Sequence, residues 1–252
     1  MLRSIPLRAE GPRYSLSLLF LPDLWTPARV WLPVASFLGH RGWEGELLEL
    51  RGTGGLGTRT AALVEHARGL GHAPVLIGHG AGAVVALDAA QDGGAAAVVL
   101  VAPLVPGSAP ARGLTRRWDA IAAIARGRDV PPPQGARAQR LFGEVPAGLE
   151  MDSARAVLDV TRGRSLVRPP LPMPALVVAG EHDPLLPRPA ATALAAMLRA
   201  EHVEVAGAGH WPLLPPSWRQ TVGLVHRWLV RRLGEPLLDL YAETMAEREG
   251  GE

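Results

Sequence analysis

The 252 residues carry 26 basic and 24 acidic side chains, a formal net charge of +2, and 48% are hydrophobic against 20% charged, the proportions of a folded globular chain with a sizeable core. Every basic residue is arginine and there is no cysteine, which excludes lysine-nucleophile and Schiff-base chemistry, disulfides, thiolate metal sites and a cysteine nucleophile. The small charge excess leaves no nucleic-acid footprint, no apolar run approaches the roughly 20 residues of a membrane span, and Met1 to Arg8 lack a secretory apolar core, so a cytoplasmic protein with neither nucleic acid nor membrane as partner is expected.

Residues 2 to 8 and 14 to 21 read as strands around Glu10-Gly11-Pro12-Arg13, and Leu16 to Leu21 is almost unbroken apolar sequence, as in a strand covered on both faces. Thr26-Pro27 places a capping residue and a first-turn proline ahead of Val30, Trp31, Val34, Phe37 and Leu38, a helical spacing that runs to Gly39. Glu46 to Leu50 is a short strand, and Thr58 to Leu70 a helix. Between them Arg51-Gly52-Thr53-Gly54-Gly55 is a glycine-rich loop that matches neither phosphate-binding glycine pattern. From Pro74 a buried apolar run stops at Gly78, and an Ala/Val-rich helical pattern begins at once after His79-Gly80. Ala95 to Val101 is the next strand. This alternation predicts an α/β fold with a doubly wound, mostly parallel sheet of about eight strands.

Residues 104 to 172 break the rhythm with proline, glycine and arginine and short helical patterns at 114 to 126, 136 to 143 and 152 to 161. The core is then expected from 1–103 and 173–234, the latter with strands at 175–180 and 202–205 and helices at 188–199 and 217–233. The tail 235–252 carries spaced apolar residues and reads as an added helix, packed on the body or on a second copy in a homodimer. The arginines at 112, 116, 117, 126 and 128 read as a solvated face.

Gly78-His79-Gly80-Ala81-Gly82 resembles the G-x-S-x-G nucleophile elbow of the α/β-hydrolase superfamily, whose members include esterases and thioesterases, with Gly80 at the serine position. Gly180-Glu181-His182-Asp183-Pro184-Leu185-Leu186-Pro187 resembles the superfamily's G-x-x-D-x-x-x-P, and Gly207-Ala208-Gly209-His210 its G-x-G-H. The resemblance covers nearly the whole chain and implies Asp183 as the triad acid, His210 as the base, and residues 104–172 as a small helical cap over the site. It also implies oxyanion donors at the N–H groups of Leu24 and Ala81, with Pro22-Asp23 standing where the family commonly has His-Gly. His79 is then a structural neighbour of the nucleophile position and Trp211 a pocket wall.

Gly80 has no hydroxyl, so a covalent acyl-enzyme at that position is excluded. Asp23 next to the oxyanion donors would repel an oxyanion unless turned away, paired with an arginine or protonated, and capping of the following turn is an equally simple role for it. Three readings stay open: a hydrolase-like enzyme in which His210 and Asp183 activate water over Gly80 or abstract a proton from a small organic substrate; a non-catalytic relative that binds a small apolar ligand or a partner protein; and a serine hydrolase silenced at position 80 by engineering. No His, Asp and Glu residues stand at metal-ligand spacing, and no cofactor is expected. A pocket is expected between the sheet edge and residues 104–172.

Overall fold

The computed structural model of the chain describes residues 2–50, 54–92, 94–116, 118–163 and 170–233. The apolar runs become seven strands, β1 (Arg3–Leu7), β2 (Ser17–Leu21), β3 (Glu44–Glu49), β4 (Val75–His79), β5 (Ala97–Val101), β6 (Ala175–Gly180) and β7 (Glu201–Val205). They form one sheet in the order β1-β3-β2-β4-β5-β6-β7. β1 runs antiparallel to β3, and every other pairing is parallel. The described residues thus hold seven strands, close to the about eight expected, and β1 pairs not with the next strand in sequence but with β3, which the chain later inserts between them. Four of the five β1 residues are exposed, as befits an edge strand, whereas β4, β5 and β6 are buried throughout.

The helices are α1 (Leu32–Gly39), α2 (Leu56–Arg68), α3 (Ala81–Gln91), α4 (Ala109–Gly113), α5 (Trp118–Ala125), α6 (Gly135–Phe142), α7 (Ala154–Arg162), α8 (Arg188–Leu198) and α9 (Trp218–Leu233). Alternate strand residues feed two cores, because side chains of a strand point to opposite faces in turn. Leu19, Leu76, Val98, Leu100 and Val177 pack with α2, α3 and α8, and Leu18, Phe20, Ile77, Val99 and Val178 pack with α1 and α9. Each such buried aliphatic side chain contributes about 1.5–3 kcal/mol of apolar burial. The expected cap at Thr26-Pro27 does not form. A single 3-10 turn, Ala28–Trp31, precedes α1, and the Thr26 hydroxyl donates instead to the Asp23 carbonyl at 2.6 Å.

Residues between β5 and β6 hold α4 to α7, and their Leu104, Leu114, Val130, Phe142, Val157 and Val160 belong to the same core as α2 and α3. The segment is pinned to the sheet domain by polar contacts as well. Asp152 forms a buried ion pair with Arg59 and accepts the Trp25 backbone N–H at 3.0 Å. The Trp25 indole N–H donates to the Val130 carbonyl at 2.9 Å, and the Leu56 N–H donates to Asp159 at 2.9 Å. Trp25 holds φ at +62°, a left-handed conformation that costs a residue with a Cβ about 1–2 kcal/mol and that these contacts secure. None of the described helices is long and apolar enough to cross a membrane. The 51–53 part of the glycine-rich loop and the tail 235–252 lie outside the described residues.

Candidate active site

β4 ends at His79 and α3 starts at Ala81, so one residue makes the whole turn. That residue is Gly80, at φ 55° and ψ −115°, a conformation that glycine adopts without the penalty paid by other residues. The turn is tight on both sides. A Cβ on Gly78 would come within 2.5 Å of the Ala83 Cα, and one on Gly82 within 2.5 Å of the Leu21 carbonyl oxygen, which is why these two positions carry no side chain.

Four loops at the carboxyl ends of β2, β4, β6 and β7 bring Asp23, Gly80, Asp183 and His210 together. His210 Nδ1 donates to Asp183 Oδ2 at 3.0 Å, and its Nε2 donates to Asp23 Oδ2 at 3.2 Å. Both partners are carboxylates that only accept, so both ring nitrogens carry protons and the ring is an imidazolium. Burial by itself would lower its pKa, but the charge of Asp183 and the hydrogen bonds to Asp183 and Asp23 push it up to about 10. Burial likewise works against the charged forms of Asp23 and Asp183, and the contact with His210 leaves both below the usual carboxylate range.

The other oxygen of Asp23 occupies the expected oxyanion site. Oδ1 accepts the Leu24 N–H at 2.7 Å and the Ala81 N–H at 2.6 Å, the two donors expected to face a substrate oxyanion. A Cβ built on Gly80 would collide with this carboxylate. The space over Gly80, expected to be open to water, is thus filled by Asp23, and none of the three sequence-level options for that carboxylate (turned away, paired with arginine, protonated) is the one realised. It is paired with histidine. Nor does its side chain cap the following turn; the Asp23 backbone carbonyl does that work.

His79, expected to be structural, donates from Nε2 to the His210 carbonyl at 2.8 Å and so steadies the His210 loop. Burial lowers its pKa to about 4, leaving it neutral at pH 7. Trp211 packs on the His79 ring, centroids 4.2 Å apart, behind the acid–base groups. Phe142 of α6 stacks on His210 at 5.8 Å, and Trp25 meets Phe142 edge-on at 6.4 Å. The groups are closed off as a result: Asp23 is 2% exposed, Asp183 4% and His210 0%. Among the described residues the groups expected to face a pocket between sheet edge and cap are buried, and a nearby cavity lined by Gly143, His182, Gly209 and Trp211 lies beside the His210 loop. Asp152 joins Arg59 and Ser153 caps α7, while His182 stands at the surface. Phe142 and Arg59 escaped sequence reasoning, since neither lies in a recognisable pattern.

Residues 18–222 match the model of the alpha/beta hydrolase family. The chain belongs to the alpha/beta hydrolase family. No curated protein matches it significantly in sequence. Among solved structures of this fold, it is similar to a monoacylglycerol lipase of Paleococcus ferrophilus (17% identity, TM-score 0.71, 92% of this chain and 99% of that one). It is also similar to a thermophilic esterase of Thermogutta terrifontis (20% identity, TM-score 0.70, 91% and 93%) and to a soluble variant of the monoglyceride lipase of Saccharomyces cerevisiae (14% identity, TM-score 0.68, 91% and 91%).

The alpha/beta hydrolase frame also gathers a set of potential metal ligands that spacing in the sequence did not suggest. Asp23, His79 and His210 each offer a ligand atom within 4.8 Å of the other two, and all three are buried.

Proposed function

We propose that this alpha/beta hydrolase acts on a small organic substrate by hydrolase-like, non-covalent acid–base chemistry, without a serine nucleophile. The observation that carries the reading is the hydrogen-bonded chain Asp183–His210–Asp23, which keeps the acid and base of a hydrolase and places a carboxylate where a serine hydroxyl would stand. Asp183 orients the ring and supports its positive charge. His210 Nε2 is the acid that donates toward a leaving atom, and Asp23 Oδ2 is the base that takes a proton from water or from a substrate carbon. This modifies the expectation that His210 itself acts as the base, because its Nε2 is already protonated. Substrate entry requires Phe142 and the α6 segment to move off His210, in a protein that we place in the cytoplasm.

A second reading rests on a specific feature. With Asp23 Oδ1 taking both oxyanion donors and the groups almost wholly buried, a pseudo-hydrolase that binds a ligand without turnover has the same structural support. Turnover on a panel of small esters, thioesters and amides separates the two. The enzyme reading expects activity that falls about 10²- to 10⁴-fold in His210→Ala, with no labelling by serine-directed phosphonates. Activity unchanged in His210→Ala, or none on any substrate class, favours the binder.

A further inference from the structure

Each of the three residues gathered at Gly80 has one polar atom fixed by the surrounding protein and a second that is not; of these second atoms, His210 Nε2 and Asp23 Oδ2 bond only each other, at 3.2 Å. His210 Nδ1 is held by Asp183 at 3.0 Å, leaving Nε2. Asp23 Oδ1 is held by the N–H groups of Leu24 and Ala81, leaving Oδ2. His79 Nε2 is held by the His210 carbonyl at 2.8 Å, leaving Nδ1, which is buried and has no hydrogen-bond partner among the described residues. This is the arrangement in which outer groups orient ligands toward a metal: a carboxylate behind one histidine, a backbone carbonyl behind the other, and backbone N–H groups on the acid.

We propose that Asp23, His79 and His210 form a binding site for one divalent transition-metal ion of the zinc class, with Asp183 as the carboxylate behind His210. Two imidazole nitrogens and one carboxylate oxygen suit such an ion, and three protein ligands leave a fourth position for water. In a tetrahedral site with metal–ligand distances of about 2.0 Å, ligand atoms stand about 3.3 Å apart. Asp23 Oδ2 and His210 Nε2 are already 3.2 Å apart, and a ring nitrogen of His79 lies within 4.8 Å of a ligand atom on each of the other two residues. The ion takes the place of the proton now shared between His210 and Asp23. Its charge offsets the two carboxylates, and it gives the buried His79 Nδ1 a partner. The existence of the site does not rest on the proposed function, whose acid and base atoms the ion would take as ligands.

The test uses the full chain stripped with a chelator and dialysed. Titration calorimetry with ZnCl₂ is expected to give one equivalent, and CoCl₂ the visible ligand-field bands of a four-coordinate nitrogen and oxygen site, displaced by Zn²⁺. Asp23→Asn and His79→Ala are each expected to weaken Zn²⁺ binding at least about tenfold, and Asp183→Asn, which acts through His210, by about 10- to 100-fold. His182→Ala, at an exposed histidine, should bind as the parent does. Circular dichroism establishes that each variant is folded; if one is not, the Co²⁺ spectrum of the parent decides. No Zn²⁺ heat and no Co²⁺ bands in the parent overturn the site, as does binding that survives all three substitutions. An inert protein that binds one ion ends the proposed activity and keeps the site, whereas turnover in protein that binds none does the reverse.

Discussion

Asp183 and His210 sit on two loops that hold each other, whereas Asp23 sits on a loop that residues 104–172 hold in place. The loops after β6 and β7 are joined by the Glu181 N–H to the Val205 carbonyl at 3.0 Å, the His182 N–H to the Ala208 carbonyl at 2.8 Å and the Gly207 N–H to Glu181 at 2.8 Å. The loop after β2 depends on Asp152, Val130 and Glu150, each bonded to Trp25, and on Arg59 behind Asp152. One half of the site is built into the sheet edge, with one further bond to residues 104–172, from the His210 N–H to the Phe142 carbonyl at 3.1 Å. The other half is held mainly by contacts with residues 104–172, which makes the position of Asp23 the more adjustable part.

His210→Ala removes the one side chain that joins the halves and leaves Asp23 and Asp183 as buried carboxylates with only backbone donors, so it should cost about 3–5 kcal/mol in urea unfolding. Arg59→Ala strips the counter-charge from Asp152 and should cost a similar or slightly smaller amount. It sharpens the comparison, because NMR of the His210 ring should still report the hydrogen bond to Asp183 while that to Asp23 weakens. Loss of both together would mean that the halves are not held separately.

Gly80→Ser comes next. The elbow conformation costs a residue with a Cβ about 1–3 kcal/mol, and here the new side chain also meets the Asp23 carboxylate. The single variant should therefore be destabilised and inert toward activated esters. Combining it with Asp23→Gly relieves the collision, frees the Leu24 and Ala81 N–H groups and should yield esterase activity that His210→Ala abolishes. An inert, folded double variant would break the claim that the frame after β6 and β7 is competent on its own.

The last test is the pH dependence of the metal-stripped protein. His210 is raised from 6.5 to about 10, so its contribution is complete below 6.5 and is lost as pH rises through 10. His79 is lowered from 6.5 to about 4, so its contribution is complete above 6.5 and is lost as pH falls through 4. Asp23 and Asp183, which face them, are lowered and add to the acid-side loss. Urea midpoints should peak near pH 6.5, and the alkaline decline should vanish in His210→Ala.

Much of the site was legible because it depends on local pattern. Gly80 between a buried strand and an alanine-rich helix is a backbone-level signature, Asp183 after Gly180 and His210 after Gly209 stand in motifs that resemble those of the superfamily, and the fold brings all three together. Leu24 and Ala81 were also located in advance, since an N–H donor needs only a chain position and not a particular side chain. The pairing of β1 with β3 was not readable, because register across a gap of some forty residues leaves no mark in either segment.

The sequence by itself determined the two-sided α/β sheet, the one-residue turn at Gly80 and the absence of a hydroxyl there. These follow from apolar periodicity, from glycine's freedom at φ 55° and from the identity of one residue. Only the tertiary structure decided what fills the space over Gly80. Asp23 is 57 residues from Gly80 and 187 from His210, and whether its carboxylate turned to solvent, to an arginine or into the oxyanion donors depended on which charges and N–H groups the fold delivered to it. A buried carboxylate must find such partners or lose its charge, and those offered here were two backbone amides and an imidazolium.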